Sequence, residues 1–326
     1  MKLLTAAAAA LAAIAHPLAA EEITARGPNG ALAGTLIAPA EGQPVVLIVS
    51  GSGPTDRDGN SPVGVTAASY RLLAEALGER GIGSVRIDKR GMFGSKAAIP
   101  NPNDVTIAAY GDDVAAWIAA ARAKTGRDCV WVLGHSEGGL VALAAAPRLE
   151  NLCGVILVAA GGQTYGDLIR TQLKGNPGNA PILPQALAAL DSLEKGERVD
   201  VTGLHPALAN LFNPAVQGFL IDAMDYDPVE LAAKVAVPML IVQAGKDLQV
   251  PRANGDALKA AQPAADYIVI PAMNHVLKDV EGDTPQANLA AYADPSLPVS
   301  SELVDAIAGF VTRPPENGMG PTLEVR

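Results

Sequence analysis

A serine between glycines, a later aspartate and a still later histidine are the side chains whose types, order and spacing could perform acyl transfer. Ser136 stands in Gly134-His135-Ser136-Glu137-Gly138-Gly139, directly after the apolar run from Cys129 to Leu133. The Gly-x-Ser-x-Gly spacing has a mechanical cause. A serine on a tight strand-to-helix turn is held in strained backbone geometry, and only glycine two residues to either side avoids a clash. Such a turn exposes the hydroxyl and aims the next helix's N-terminus at it, so the Glu137 N–H could stabilise a developing oxyanion. Because the bare spacing arises by chance in roughly one chain in ten of this composition, context decides. Here strand-forming residues precede the serine, and the helix formers Leu140 to Ala146 follow it.

A serine hydroxyl is a weak nucleophile until a base takes its proton, and the base needs an acid to orient it. Of the four histidines, His16 lies in an N-terminal apolar leader, His135 is expected to point elsewhere on the turn, and His205 falls in a long insertion. His275, in the loop after Tyr267 to Ile270, remains as the base. Asp247, in Gly245-Lys246-Asp247 after the run Met239 to Ala244, fits the acid. Asp222, Asp225 and Asp227 compete for that role, but beside Pro228 they read more simply as a solvated helix end. A second oxyanion donor should come from the turn Gly51-Ser52-Gly53-Pro54-Thr55-Asp56-Arg57-Asp58-Gly59-Asn60, as the N–H of Ser52 or Gly53. As a phosphate loop this turn lacks a third glycine and a following helix, and as a calcium loop it lacks the distal glutamate. Asp56, Arg57 and Asp58 are expected to brace the turn against Lys89 and Arg90. The chemistry calls for no cofactor and no metal.

These residues need a rigid frame. Glu22 to Arg26 and Ala31 to Pro39 alternate around Pro28-Asn29-Gly30, a hairpin pattern. Apolar strand-like runs then alternate with helical spacing: Pro44 to Val49, Tyr70 to Glu79, Gly83 to Ile87, Ile107 to Ala123, then Gly154 to Ala159, Pro238 to Ala244, Arg252 to Ala261 and Tyr267 to Ile270. An antiparallel start leading into repeated βα units predicts an α/β fold with a mostly parallel sheet and helices on both faces. The stretch between Ala160 and Met239 is far longer than one crossover needs. It is expected to form a helical cap over 163–231, with the core formed by 21–162 and 232–312 and a flexible tail over 313–326.

At this point the chain resembles the α/β-hydrolase superfamily, and more narrowly its bacterial serine esterases with a Gly-Ser-Gly-Pro-x-Asp-Arg-Asp stretch after the third strand. The resemblance covers roughly 43–311 and rests on that stretch, Asp88-Lys89-Arg90-Gly91 with Gly94-Ser95, the elbow, Gly245-Lys246-Asp247 with Val250-Pro251, and Asn274-His275. It implies that Ser136, Asp247 and His275 act as the catalytic triad. No His-Gly-Gly-Gly stretch is present, which speaks against a long-chain lipase. A serine at 136 speaks against the related dehalogenases and epoxide hydrolases, which use an aspartate nucleophile.

Met1-Lys2, the apolar Leu3 to Ile14 and the small residues up to Ala20 have the layout of a cleaved signal peptide over 1–20, so an exported, periplasmic or secreted protein is expected, with no stable membrane association after cleavage. The formal charge of −10 becomes −11 when Lys2 is lost, which disfavours nucleic acid and anionic membranes as partners and suits a small neutral ester. Cys129 and Cys153 each open an apolar run. If those runs are neighbouring parallel strands, export permits a bridge between them; otherwise both are buried thiols. The expected activity is hydrolysis of carboxylic esters of short to medium acyl chain in a mainly aliphatic pocket furnished by the cap. A thioesterase, amidase or peptidase with the same triad is the alternative, and a non-catalytic binding module stands further off. Sequence does not set the oligomeric state.

Overall fold

The computed structural model describes residues 19–313. The expected leader and tail lie outside the described residues except for Ala19, Ala20 and Arg313. The chain opens with β1 (Ala20–Arg26), β2 (Ala31–Ile37) and β3 (Val45–Val49). Then come α1 (Ser69–Gly78), β4 (Gly83–Ile87), α2 (Ile107–Thr125), β5 (Val130–His135), α3 (Glu137–Ala145) and β6 (Leu152–Val158). Between β6 and the next strand lie α4 (Tyr165–Gly175), α5 (Leu183–Leu193), α6 (Pro206–Leu211), α7 (Gln217–Met224) and α8 (Pro228–Ala232). The fold closes with β7 (Met239–Ala244), α9 (Ala253–Ala261), β8 (Asp266–Ile270), α10 (Pro285–Ala290) and α11 (Ser301–Val311).

The eight strands form one sheet in the order β1-β2-β4-β3-β5-β6-β7-β8. β1 and β2 pair antiparallel, as do β2 and β4, and every later pairing is parallel. This is the sheet the α/β-hydrolase resemblance implies. Its central strands are continuously apolar because both faces are covered. Along β3, Val45, Leu47 and Val49 enter one core with α2 and α3, while Val46 and Ile48 enter the other with α1 and α11. Alternate residues of a strand point to opposite faces, so one short run serves both layers. α11 packs Leu303, Val304, Ile307, Phe310 and Val311 onto the second core, an apolar stripe of helical period. α2 is delimited by the Thr106 side chain, which accepts from the Ala109 N–H at 3.0 Å, and by Gly126 at φ 69°.

β5 and β6 are parallel neighbours with Val130 opposite Leu152, and a disulfide joins Cys129 to Cys153 at their starting ends, 5.2 Å apart between Cα atoms. Closing a loop with a sequence separation of 24 stabilises the fold by about 3 kcal/mol through lost unfolded-state entropy. The insertion between β6 and β7 has an apolar cluster of its own. Leu190, Leu208, Phe212 and Leu220, among the cap side chains some of which were expected to face the pocket, are spent inside it. Among the described residues no helix is long and apolar enough to cross a membrane.

Candidate active site

Ser136 sits where β5 gives way to α3, at φ 54° and ψ −119°, a conformation that costs a side-chain-bearing residue strain. The flanking glycines make it possible. A Cβ at Gly134 would overlap the Gly138 carbonyl, and one at Gly138 would overlap that of Val49. The turn is pinned by the Ser136 N–H donating to the Val158 carbonyl at 3.0 Å. On its other side the loop after β3 comes so close that a Cβ at Gly51 would stand 3.2 Å from the Ser136 Cβ.

Asp247 and His275 are brought together. The His275 Nδ1 lies 2.8 Å from Asp247 Oδ2, with side chains 7% and 1% exposed. Asp247 Oδ1 accepts from the backbone N–H groups of Gln249 (2.8 Å) and Val250 (2.9 Å). A carboxylate so placed can only accept, so Nδ1 carries the proton and Nε2 is left as an acceptor, the form a general base requires. The His275 loop is held from both sides: Ser69 Oγ donates to the Val276 carbonyl at 2.7 Å, and the Asn274 side chain accepts from the Lys278 N–H at 3.1 Å. The competing carboxylates have structural duties instead. Asp222 accepts from the Ile107 N–H at 2.7 Å, and Asp227 caps α8 through the Val229 N–H at 2.8 Å. His205 caps α6.

His135 does not point away from the site. Its Nε2 lies 2.9 Å from the His275 carbonyl and its Nδ1 lies 2.8 Å from the Tyr70 hydroxyl. A carbonyl only accepts, so Nε2 bears the proton and Nδ1 receives the Tyr70 O–H, whose oxygen in turn accepts the Gly51 N–H at 3.0 Å. Burial, followed by the neighbouring His275, pushes the His135 ring down to about 3 and keeps it neutral. One hydrogen-bonded chain therefore runs from the loop after β3 to the backbone of the candidate base.

The peptide on the other side of Gly51 is held as firmly. Lys89 Nζ donates to the Gly51 carbonyl at 2.7 Å and to Glu137 Oε1 at 3.2 Å, and both charged side chains are under 5% exposed. A trans peptide sets its C=O and N–H in opposite directions, so gripping the Gly51 oxygen from below turns the Ser52 N–H the other way. Glu137 Oε2 accepts the Tyr165 hydroxyl of α4 at 2.9 Å. Burial, and then the Glu137 carboxylate, raise the Tyr165 hydroxyl well above the usual tyrosine range, so it stays a donor. Lys89 and Arg90 thus do not brace the 56–58 turn as expected. Arg57 pairs with Asp88 at 2.8 Å and Glu22 at 2.7 Å, Asp58 pairs with Arg86, and Arg90 pairs with Asp113 at 2.7 Å. Asp56 Oδ1 accepts from the N–H groups of Asp58 and Asn60, so the calcium-like carboxylates are engaged within the protein. Among the described residues no group of three or more His, Cys, Asp or Glu is arranged to hold a metal ion.

Ser52, Ser136 and Glu137 open onto one cleft of about 570 Å³, mouth included. Leu140, Leu168, Ile169, Tyr165 and Pro228 supply its apolar wall, and Gln163, Gln172 and Gln249 a polar one. The wall is therefore mixed where a mainly aliphatic one was expected, because most apolar side chains of the insertion pack against each other.

The model of the serine aminopeptidase, S33 family matches residues 63–279. The chain is 26% identical over 276 residues to esterase EstD of Thermotoga maritima, an alignment covering 83% of this chain; the chain spans 62% of that relative's length. Among solved structures it is similar to the α/β hydrolase GrgF from Penicillium (TM-score 0.56, 19% identity, covering 79% of this chain and 91% of that one). A thermophilic esterase from Thermogutta terrifontis (TM-score 0.54, 18% identity, 90% and 98%) and proline iminopeptidase of Mycobacterium smegmatis (TM-score 0.56, 15% identity, 89% and 97%) share the fold.

Proposed function

Because the chain belongs to the serine aminopeptidase, S33 hydrolase family, we propose that it is a serine hydrolase of carboxylic esters with Ser136, His275 and Asp247 as its triad. The observation that carries this reading is the buried Asp247–His275 pair, with its proton on Nδ1 and its ring packed against His135, the residue before a serine on a strained, glycine-flanked turn. In the reaction His275 Nε2 takes the Ser136 proton as the hydroxyl attacks the ester carbonyl. Asp247 steadies the imidazolium, and the N–H groups of Glu137 and Ser52 receive the oxyanion. His275 then protonates the departing alcohol, and water attacking by the same route releases the acid. Ser52 is favoured over Gly53 as the second donor because it lines the cleft and its peptide is turned by Lys89.

Ester chemistry is favoured over aminopeptidase chemistry by the charge of the wall. An aminopeptidase must neutralise a substrate ammonium, yet among the described residues the one carboxylate lining this cleft, Glu137, already receives Lys89 and Tyr165. The apolar side chains beside Glu137 suit a short to medium acyl group. Export through a cleaved leader is part of the same reading, and the Cys129–Cys153 bridge is compatible with it. The test is a fluorophosphonate probe followed by turnover of p-nitrophenyl acetate, an anilide and a thioester of the same acid. Labelling at Ser136 with fastest turnover of the oxygen ester is expected; folded protein that neither labels nor turns over any of the three would overturn the reading.

A further inference from the structure

Three side chains of the cleft, Gln163, Gln172 and Gln249, have no part in the steps above. Each spends one end of its amide on the protein. Gln172 Nε2 donates to the Gln249 carbonyl at 3.1 Å, Gln249 Nε2 meets the Tyr292 hydroxyl at 2.9 Å, and Gln163 Oε1 accepts from Thr171 Oγ1 at 3.2 Å. The opposite ends, two carbonyl oxygens and one amino group, have no partner among the described residues, and none is among the buried polar atoms left unsatisfied. They belong to side chains that line the cleft and are left to hydrogen-bond a ligand.

Their place relative to the candidate base gives them a meaning. The Gln249 backbone N–H donates to Asp247 Oδ1 at 2.8 Å, so this residue stands beside the acid–base pair, and the Gln172 side chain is tied to its backbone carbonyl. The atom that leaves in ester hydrolysis must be protonated by the base, so the alcohol half of the substrate lies on that side. Amides are neutral and offer both donors and acceptors, which matches hydroxyl groups and not phosphate or ammonium. A plain alkyl or aryl alcohol would desolvate these ends without bonding them.

We propose that Gln163, Gln172 and Gln249 form a leaving-group subsite for a neutral polyhydroxy alcohol, making the substrate a short-chain ester of a glycerol-class or sugar-class polyol. This rests on the esterase reading. The experiment compares kcat/KM of the full chain for glycerol monoacetate, a methyl glucoside 6-acetate and ethyl acetate. Either polyol acetate should exceed ethyl acetate by about tenfold, two ordinary hydrogen bonds' worth, and the faster of the two identifies the alcohol. Gln172→Met and Gln249→Met should each shrink that ratio about threefold or more, a readout that a general loss of active protein does not move. An active enzyme with no preference for either polyol ester overturns the subsite and leaves the esterase reading standing. A preference that survives the double substitution overturns the assignment to these residues. No turnover of any acetate together with no fluorophosphonate labelling removes the esterase reading, and the subsite with it.

Discussion

Replacing Lys89 by methionine separates two jobs that one ammonium performs, holding the Gly51 carbonyl at 2.7 Å and neutralising Glu137 at 3.2 Å. Removing an oxyanion donor outright costs about 100- to 1,000-fold in kcat, which sets the ceiling, because Lys89→Met frees the Ser52 peptide to turn without deleting its N–H. The lost contact is a charge-assisted hydrogen bond worth about 1.5–3 kcal/mol. A kcat lower by about 10- to 100-fold is therefore expected, with KM changed little, since the peptide is needed most when charge develops on the carbonyl oxygen. Stability should also fall, by about 3–5 kcal/mol, because Glu137 becomes a buried carboxylate without its cation. The double variant Lys89→Met/Glu137→Gln removes the stranded charge and should recover most of the stability while kcat stays low. Urea unfolding and p-nitrophenyl acetate kinetics on all three proteins check this. If the double variant regains both stability and kcat, Lys89 is only a counter-ion and the grip on Gly51 does nothing for turnover.

Ser136→Ala should lower esterase kcat by several orders of magnitude with the unfolding midpoint nearly unchanged, and His275→Ala should lower it as far while also losing stability, because Asp247 is left a buried carboxylate without its partner; ordinary turnover by Ser136→Ala would end the proposed mechanism. An unfolded histidine takes up a proton as pH falls through about 6.5, whereas folded His135 does so only near 3. Between those values the unfolded state binds more protons, so His135 makes stability fall with falling pH by about 1.4 kcal/mol per unit. His135→Gln should remove that share of the slope between pH 6 and 4.5, and parallel wild-type and variant curves of urea midpoint against pH would contradict it. Cys129→Ala/Cys153→Ala should lower stability by about 3 kcal/mol and leave turnover per folded molecule unchanged, because the bridge lies at the strand ends remote from Ser136; a large kcat loss in folded protein would show that the bridge shapes the site.

The strand and helix order was legible because burial on both faces writes continuous apolar runs, and because Gly134 and Gly138 stand where no side chain fits. The pairing of Asp247 with His275 was legible from chain order and the disulfide from matching strand starts. The partners of Lys89 were not. Arg86 and Asp88, two residues apart on extended chain, face the 56–58 turn, while Lys89 turns toward α3. Which partners a charged residue meets depends on the register between segments far apart in sequence, and no local pattern carries it. His135 was misplaced for a related reason: its neighbour's role says nothing about a ring anchored by Tyr70, a residue on α1. The cleft's polarity was missed because composition gives how many apolar side chains the insertion has, not which of them its own core absorbs.

Gly51 has its N–H taken by Tyr70 and its carbonyl by Lys89, so the two peptides that flank it beside the nucleophile are suspended from side chains of α1 and of the loop after β4. Neither Tyr70 nor Lys89 lines the cleft, and none of the cleft's glutamines or aliphatic residues touches Gly51 through a hydrogen bond. Rate and selectivity are thereby entrusted to different sets of positions. Substitutions along the cleft wall can exchange one ester for another while the suspension stays intact, so the scaffold is open to diversification at its wall without retuning the residues that support turnover.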